Sequence, residues 1–468
     1  MKLTFVAVAA LASVSTAFAQ TNFDNFTPLT ASQTTALPET SPVLLSNPAF
    51  TQEVIANRTT QNALVAGQDS GNWDMITANE TGTDAGRFLF MPYETGTAGV
   101  MRVDLQDSNY STRTTTIVSA GTQGFVSGDA SRWTPWGGYL TAEESWGTGS
   151  TKGRLFEVTN PTTATGQTSS AVGGGNFVQR SVVPRVSHEG LAFDSQKSLY
   201  FIDELNGGSI YKYVSNNPNA ADGNGYFASG QTFAAKVNGG NNANAVGNVV
   251  WAPITDINGG AISGTSAVNT DGTIDGRVTA NNIQATDYQR PEDVEIALNS
   301  IGQEILYIPT TTTNEVYAFN LATNTASVFA NANTIDLATG LPVGASVFTS
   351  PDNVAVDAEG NIYIIEDRNG AVDNDIWFAK DLNKDGDLND AGEGLARWAS
   401  NGIPGSEFTG LYFDKTNPNI AFVNIQHPSS GDDSLVRLVA TAAVPEPSTY
   451  LMMLLGLGGV GLLARRRA

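Results

Sequence analysis

An all-β fold, a β-propeller most naturally of six blades, is predicted by three observations. A unit recurs along the middle of the chain, its apolar runs are short and rich in β-branched and aromatic residues, and Gly, Asn and Asp separate them. Three copies are clear: His188-Glu189-Gly190-Leu191-Ala192-Phe193-Asp194, Pro291-Glu292-Asp293-Val294-Glu295-Ile296 and Pro351-Asp352-Asn353-Val354-Ala355-Val356-Asp357. Each is followed by a turn and a second run, at 199–202, 306–308 and 362–365, and then by a third, at 210–213, 316–319 and 376–378. Weaker copies fall at 86–105, 133–158 and 408–439, so six units of about four strands each would fill residues 43–440. A β-sandwich or barrel is the competing arrangement. The Asn/Gly-rich stretch 216–281 reads as a long insertion between blades.

Composition agrees with β-structure and removes several functions. Of 468 residues only 15% are charged and 48 are Gly, a turn-rich pattern unlike that of a helical protein. The absence of Cys excludes disulfide scaffolds, zinc ribbons, thiolate nucleophiles and iron–sulfur clusters. With 46 acidic against 24 basic residues the net charge is −22, which argues against nucleic acid as a partner. A phosphate-bearing ligand would need metal ions to meet it.

Both ends read as addresses. Lys2, the apolar run 3–14 and the small-x-small site Ala17-Phe18-Ala19 have the layout of a cleaved secretory signal over residues 1–19. Residues 20–42, polar and Thr-rich, are expected to be a flexible segment packed on the outside or mobile. At the other end, Pro445-Glu446-Pro447, an apolar stretch at 450–464 and Arg465-Arg466-Arg467 resemble the PEP-CTERM sorting tail of Gram-negative bacteria, spanning 444–468. The apolar stretch is shorter than the ~20 residues that span a bilayer comfortably. The resemblance implies transient inner-membrane anchoring and removal of the tail by a sorting protease of the exosortase type. The mature protein would then be exported, to the periplasm, the outer surface or the medium.

In a propeller blade the start of the innermost strand and the end of its neighbour share one rim, and the repeat puts acids at both places. Glu189, Glu292 and Asp352 start first strands; Glu94, Glu143-Glu144, Asp203-Glu204 and Glu366-Asp367 end second strands. Two carboxylates about 4 Å apart repel by about 4 kcal/mol at an effective dielectric near 20, so such a ring needs cations or protons. Oxygen donors alone favour hard cations, Ca²⁺ first, with Mg²⁺, Mn²⁺ or Fe³⁺ as alternatives. Arg290, two residues before Glu292, would offer a planar guanidinium for a phosphate or carboxylate, or else pair with a neighbouring acid. His188 reads as a packed rim residue and His427 as a residue that orients a ligand or binds one; neither accompanies a Gly-x-Ser-x-Gly elbow. A second cation site is expected in the loop 381–393, where Asp381, Asn383, Asp385, Asp387 and Glu393 follow an EF-hand-like spacing with Gly386 at position six.

These motifs are similar to those of the PhoX-type alkaline phosphatases. The matching segments are Trp133-Thr134-Pro135-Trp136-Gly137 with Leu140-Thr141-Ala142-Glu143-Glu144, His188-Glu189-Gly190, Arg290-Pro291-Glu292, Ser350-Pro351-Asp352-Asn353, and Glu407-Phe408-Thr409-Gly410 with Phe422-Val423-Asn424-Ile425-Gln426-His427-Pro428. The resemblance implies a propeller whose channel mouth holds iron and calcium ions and hydrolyses phosphate monoesters. On it, Glu189 and Glu292 would be metal ligands with a catalytic role, Arg290 would contact the phosphate, and Glu94, Glu143, Glu144, Asp352 and Asp367 would be further ligands. Two positions depart from the pattern: Ala142 stands where the family has a cysteine bridging two irons, and Tyr93 where many members have His. An all-oxygen calcium site survives the first change; a diferric centre does not follow. The expected function is therefore a secreted, metal-dependent phosphatase acting on small phosphorylated substrates. The alternative is a non-catalytic, calcium-stabilised surface propeller that binds an extracellular matrix component.

Overall fold

The computed structural model describes residues 20–64, 70–145, 150–166, 176–368, 370 and 373–441; the expected signal peptide and sorting tail lie outside these. The chain folds as consecutive antiparallel meanders arranged as a β-propeller. The first comprises Thr77–Ala78, Phe88–Pro92, Val100–Asp104 and Thr114–Val118, and the second Gly128–Trp133, Tyr139–Glu143, Leu155–Val158 and Phe177–Gln179. The third comprises Leu191–Phe193, Leu199–Ile202, Ile210–Ser215 and Gly230–Val237, and the fourth Glu295–Leu298, Glu304–Thr310, Glu315–Asn320 and Thr325–Ala330. Pro351–Val356, Ile362–Glu366, Asp375–Lys380 and Gly394–Asn401 form the fifth, with Val43–Leu45 on its outer edge. In the sixth, Glu407–Phe413, Ile420–Gln426 and Ser434–Ala440 are completed by Phe50–Asn57 from the N-terminal side, which closes the ring.

Period-two alternation explains why these segments are strands: successive side chains enter the two different interfaces of a sheet buried on both faces. Leu199 and Phe201 pack toward the second meander while Tyr200 and Ile202 pack toward the fourth. Apolar clusters of this kind lie between each consecutive pair of meanders and between the sixth and the first, where Trp73, Leu89 and Met91 meet Tyr412, Phe422 and Leu435.

The structure revises the reading of one stretch and places a second. Residues 216–281 are not wholly an insertion: they contain the outer strand of the third meander, Gly230–Val237, and a further strand, Gly247–Pro253, that reaches across to Thr325–Ala330 of the fourth. The Asn and Gly residues that suggested an insertion sit in the turns between these strands. The rest of the stretch buttresses the site: Asp275 caps the helix Gly276–Asn282 by accepting from Val278 N–H, which sets Arg277 against Asp203. The segment 20–42, expected to be a flexible stretch either packed on the outside or mobile, runs packed across the fifth and sixth meanders. Phe23 is fully buried against Phe50, Trp398 and Phe413, and Leu29 and Leu37 donate N–H bonds to the carbonyls of Arg397 and Gly402.

Candidate functional site

One backbone hydrogen bond recurs in five meanders and builds the site. The residue just past the second strand donates its N–H to a carbonyl near the start of the innermost strand: Glu94 to Asn72, Glu144 to Ser127, Glu204 to Ser187, Thr311 to Arg290 and Asp367 to Ser350, at 2.8–3.1 Å. Two residues beyond each carbonyl stands an acid, Asp74, Asp129, Glu189, Glu292 or Asp352. Four of the carbonyl-bearing residues, Asn72, Ser127, Arg290 and Ser350, are left-handed, with φ of 41–54°. Such a conformation costs a non-glycine residue of order 1–3 kcal/mol and persists because the flanking strands over-determine it.

The paired acids divide their work, because neighbours on a strand point to opposite faces. Glu144, Glu204 and Asp367 face a common cavity, whereas their predecessors brace the fold. Glu143, expected among the metal ligands, is fully buried, accepts from Arg154 Nε at 2.7 Å and from Val126 N–H at 3.2 Å, and does not line the cavity. Asp203 accepts from Arg277 Nε (2.7 Å) and Ser187 N–H (2.9 Å), and Glu366 from Thr349 N–H (2.9 Å) and Asp375 N–H (3.2 Å). Each of these acids thereby ties down the segment that carries the cavity acid of its own meander.

The cavity, of about 360 Å³, gathers Glu94, Glu144, Glu189, Glu292, Asp352, Asp367, Arg290 and His427 from the expected set. It also contains Glu204, read from the sequence as a rim acid but not named as a ligand, and Asp74, Asp129 and Glu407, which sequence reasoning did not assign to the site. Asp74 could have been found, since Trp73-Asp74-Met75-Ile76 places an acid two positions before an apolar residue as the clear copies do; Gly128-Asp129-Ala130-Ser131-Arg132 lacks the apolar run that follows the acid in them. Among the described residues one group of three acids has ligand atoms all within 4.8 Å of one another, Glu189, Glu292 and Asp352, and all three are buried. Asn353 orients two of them: its Oδ1 accepts from Gly410 N–H at 2.8 Å, so its amide nitrogen faces Asp352 (3.1 Å) and Glu189 (3.4 Å). Asn353→Ala is expected to weaken cation binding about 10- to 100-fold by calorimetry, the usual effect of losing a group that holds a ligand in place. Unchanged affinity would remove Asn353 from that role.

Ten carboxylic acids share this cavity with one arginine and one histidine. Burial first, and then neighbouring carboxylates, push Asp74, Glu94, Asp129, Glu189, Glu204 and Asp352 well above the ordinary carboxylate range. Burial also raises Glu292, against the lowering effect of its bonds to Glu189, Arg290 and Thr311. Asp293, beside the site, is pushed up to about 8, again chiefly by burial. Acids raised on folding bind more protons in the folded than in the unfolded chain, so the metal-free protein loses stability as pH climbs from unfolded-state values near 4 through the raised ones. In chelator the thermal midpoint is therefore expected to fall between about pH 5 and 9, and Ca²⁺ to restore it at the alkaline end. A midpoint that rises across that range would mean that the protein's own groups compensate the acids.

Arg290 answers part of this charge. Its Nε lies 3.0 Å from Glu204 Oε1 and 3.3 Å from Glu292 Oε1, and Nη2 also meets Glu204. Burial opposes its charge, but Glu292 and Glu204 outweigh that and raise its pKa, so it stays cationic. Thr311 Oγ1 donates to Glu292. Two buried oxygens, Asp129 Oδ1 and Glu204 Oε2, have no hydrogen-bond partner. An all-oxygen donor set with buried oxygens left over fits hard cations. Ala142 is fully buried in the apolar cluster with Ala130, Leu140, Leu155 and Leu191 and contributes nothing polar. His188 is fully buried away from the cavity, and burial lowers its pKa to about 3.

The loop 381–393 lies apart from the cavity, between two strands of the fifth meander. Its donors face the loop's own amides. Asp381 accepts from Gly386 N–H (3.0 Å) and Asp385 N–H (3.3 Å), Glu393 from Leu382 N–H (2.9 Å) and Asp390 N–H (3.1 Å), and Asp387 from Asn389 N–H (2.9 Å). Asn383 donates to Asp385 at 3.0 Å. Glu393, one position later than the EF-hand spacing, braces the turn with both oxygens, and burial holds Asp381 up at about 6.

The profile of the family described as alkaline phosphatase PhoX matches residues 121–429, and that of the PEP-CTERM protein-sorting motif matches residues 443–467. Among solved structures, Pseudomonas fluorescens PhoX in complex with vanadate, a transition state analogue, aligns with a TM-score of 0.60 at 16% identity, over 88% of this chain and 98% of that one. A Bacteroides thetaiotaomicron protein of unknown function aligns with a TM-score of 0.41 at 12% identity, over 83% and 76% of the two chains. The calcium-binding protein regucalcin from Agrobacterium tumefaciens aligns with a TM-score of 0.39 at 12% identity, over 79% and 92%. No curated protein matches the sequence.

Proposed function

Because the chain belongs to the alkaline phosphatase PhoX family, we propose that its acid-lined channel mouth is the site of a metal-dependent phosphomonoesterase. The observation that carries this reading is the gathering of Glu189, Glu292 and Asp352 beside Arg290. These three acids would hold the first cation, with Glu94, Glu144 and Asp367 facing the same space as further donors. Calcium suits the donors best, and Fe³⁺ would have to bind without a thiolate. Bound cations supply charge that polarises the phosphoryl oxygens and offsets the charge of the transition state.

The chain's own residues do the positioning. Arg290 presents its guanidinium to the phosphoryl oxygens, and Glu204 fixes the plane of that fork from behind. Thr311 and Asn353 hold Glu292, Glu189 and Asp352 in register, so the acids are set before substrate arrives. Tested on p-nitrophenyl phosphate, the purified protein is expected to release phosphate with Ca²⁺ and to stop when a chelator is added. No release with any divalent or ferric supplement would remove the reading. The competing account, a binding propeller for an extracellular matrix component, expects Ca²⁺ to raise the melting temperature and vanadate to leave it unchanged.

The sorting motif at 443–467 marks the chain for export and processing at a membrane. No helix among the described residues is long and apolar enough to cross a membrane. A protease of the exosortase type acting on the tail, with residues 1–19 removed as a signal, would leave the propeller in the periplasm, on the outer surface or in the medium.

A further inference from the structure

His427 lies just past the second strand of the sixth meander, the position that acids occupy in four of the others, and its side chain is 36% exposed at the cavity. Its two ring nitrogens face oxygens of different kinds. Nδ1 lies 3.0 Å from the carbonyl oxygen of Gly405, which can only accept, so Nδ1 carries a hydrogen. Nε2 meets a carboxylate oxygen of Glu407, itself 6% exposed. A neutral imidazole with its hydrogen on Nδ1 has only a lone pair at Nε2, and a bare carboxylate offers only lone pairs in return. The contact therefore contains one proton, held between Nε2 and Glu407. Among the described residues His427 is the one imidazole lining the cavity; His188 is buried away from it.

We propose that the His427–Glu407 pair is the proton donor to the leaving group in this site, with His427 the catalytic acid and Glu407 the residue that positions its ring. The proposal rests on the phosphomonoesterase reading. In the step, a water oxygen bonds to phosphorus and that water loses a proton to solvent. The bond from phosphorus to the ester oxygen breaks, both its electrons staying on that oxygen, and the proton on Nε2 moves to it. The alcohol leaves neutral, the imidazole remains neutral with its Nδ1 hydrogen on Gly405, and water restores the shared proton. Arg290 leads into the fourth meander and His427 belongs to the sixth, so the phosphoryl clamp and the proton source reach the cavity from different parts of the ring.

Dependence on the leaving group separates a proton donor from a structural histidine. Ethyl phosphate leaves as a strongly basic alkoxide that needs the proton, whereas 2,4-dinitrophenyl phosphate leaves as a stable anion that does not. His427→Gln, which keeps a polar side chain but has no proton to transfer, is expected to lower kcat/KM about 10²- to 10³-fold on ethyl phosphate. On 2,4-dinitrophenyl phosphate it should change by less than about threefold. Glu407→Gln should show the same selective loss, and it carries the test should His427→Gln fail to fold. Equal losses on the two esters, or none on either, would overturn the proposal while leaving the phosphatase reading intact. A wild-type protein inactive on both esters would overturn the two together.

Discussion

Glu292→Ala is expected to remain folded and to lose at least about 10³-fold in kcat/KM on any phosphate monoester. Glu292 is the hinge of the site, lying with Glu189 and Asp352 inside 4.8 Å, touching Arg290 at 3.3 Å and accepting from Thr311. Its loss opens the cation position and loosens the guanidinium together. Metal charge is worth several kcal/mol at a transition state, and about 4 kcal/mol corresponds to roughly 10³ in rate. Stability should move the opposite way. In chelator, one acid fewer relieves the crowding that raises Glu189, Glu204 and Asp352, so the metal-free variant should melt above metal-free wild type. Steady-state kinetics with Ca²⁺ and melting curves in chelator check both halves. Retained activity, or a variant that melts lower in chelator, would contradict them.

The second large effect is at Arg290. Arg290→Ala is expected to cost about 10²- to 10³-fold in kcat/KM, the range for removing one charged or polar donor from a developing oxyanion. Vanadate should no longer stabilise the variant. The change also leaves Glu204 and Glu292, 2% and 1% exposed, without their cation, so metal-free protein should be destabilised, by up to about 3 kcal/mol. Arg290→Lys keeps the charge but not the fork, and should recover stability better than activity. Vanadate protection undiminished in Arg290→Ala would place the phosphoryl group elsewhere.

Much of the fold and half of the cavity are legible in the sequence, and the misses have physical causes. The three clear repeats carry an acid two positions before the start of a β-branched or apolar run, so Glu189, Glu292 and Asp352 can be aligned without a structure. Asp74 and Asp129 escape because the weaker copies, read from 86 and 133, begin one strand too late. The short innermost strand Thr77–Ala78 has little apolar pattern of its own. Glu143 is misplaced for a different reason. Adjacent acids at a strand end look equivalent in one dimension, and only the alternation of faces sends Glu144 to the cavity and Glu143 to Arg154. Arg154 lies eleven residues away, just before the next strand, and nothing in the spacing announces that partner. The role of Glu204 as the brace of Arg290 needs the same three-dimensional step, since 86 residues separate them.

The central claim is that acids from separate meanders converge on shared cations, and a crystal structure of the calcium-loaded protein tests it most directly. The account predicts anomalous density for a cation about 2.3–2.6 Å from carboxylate oxygens of Glu189, Glu292 and Asp352, within reach of Arg290 through a bound vanadate. Carboxyl groups hydrogen-bonded to one another in that space, with calcium present in the crystal and none among them, would contradict it.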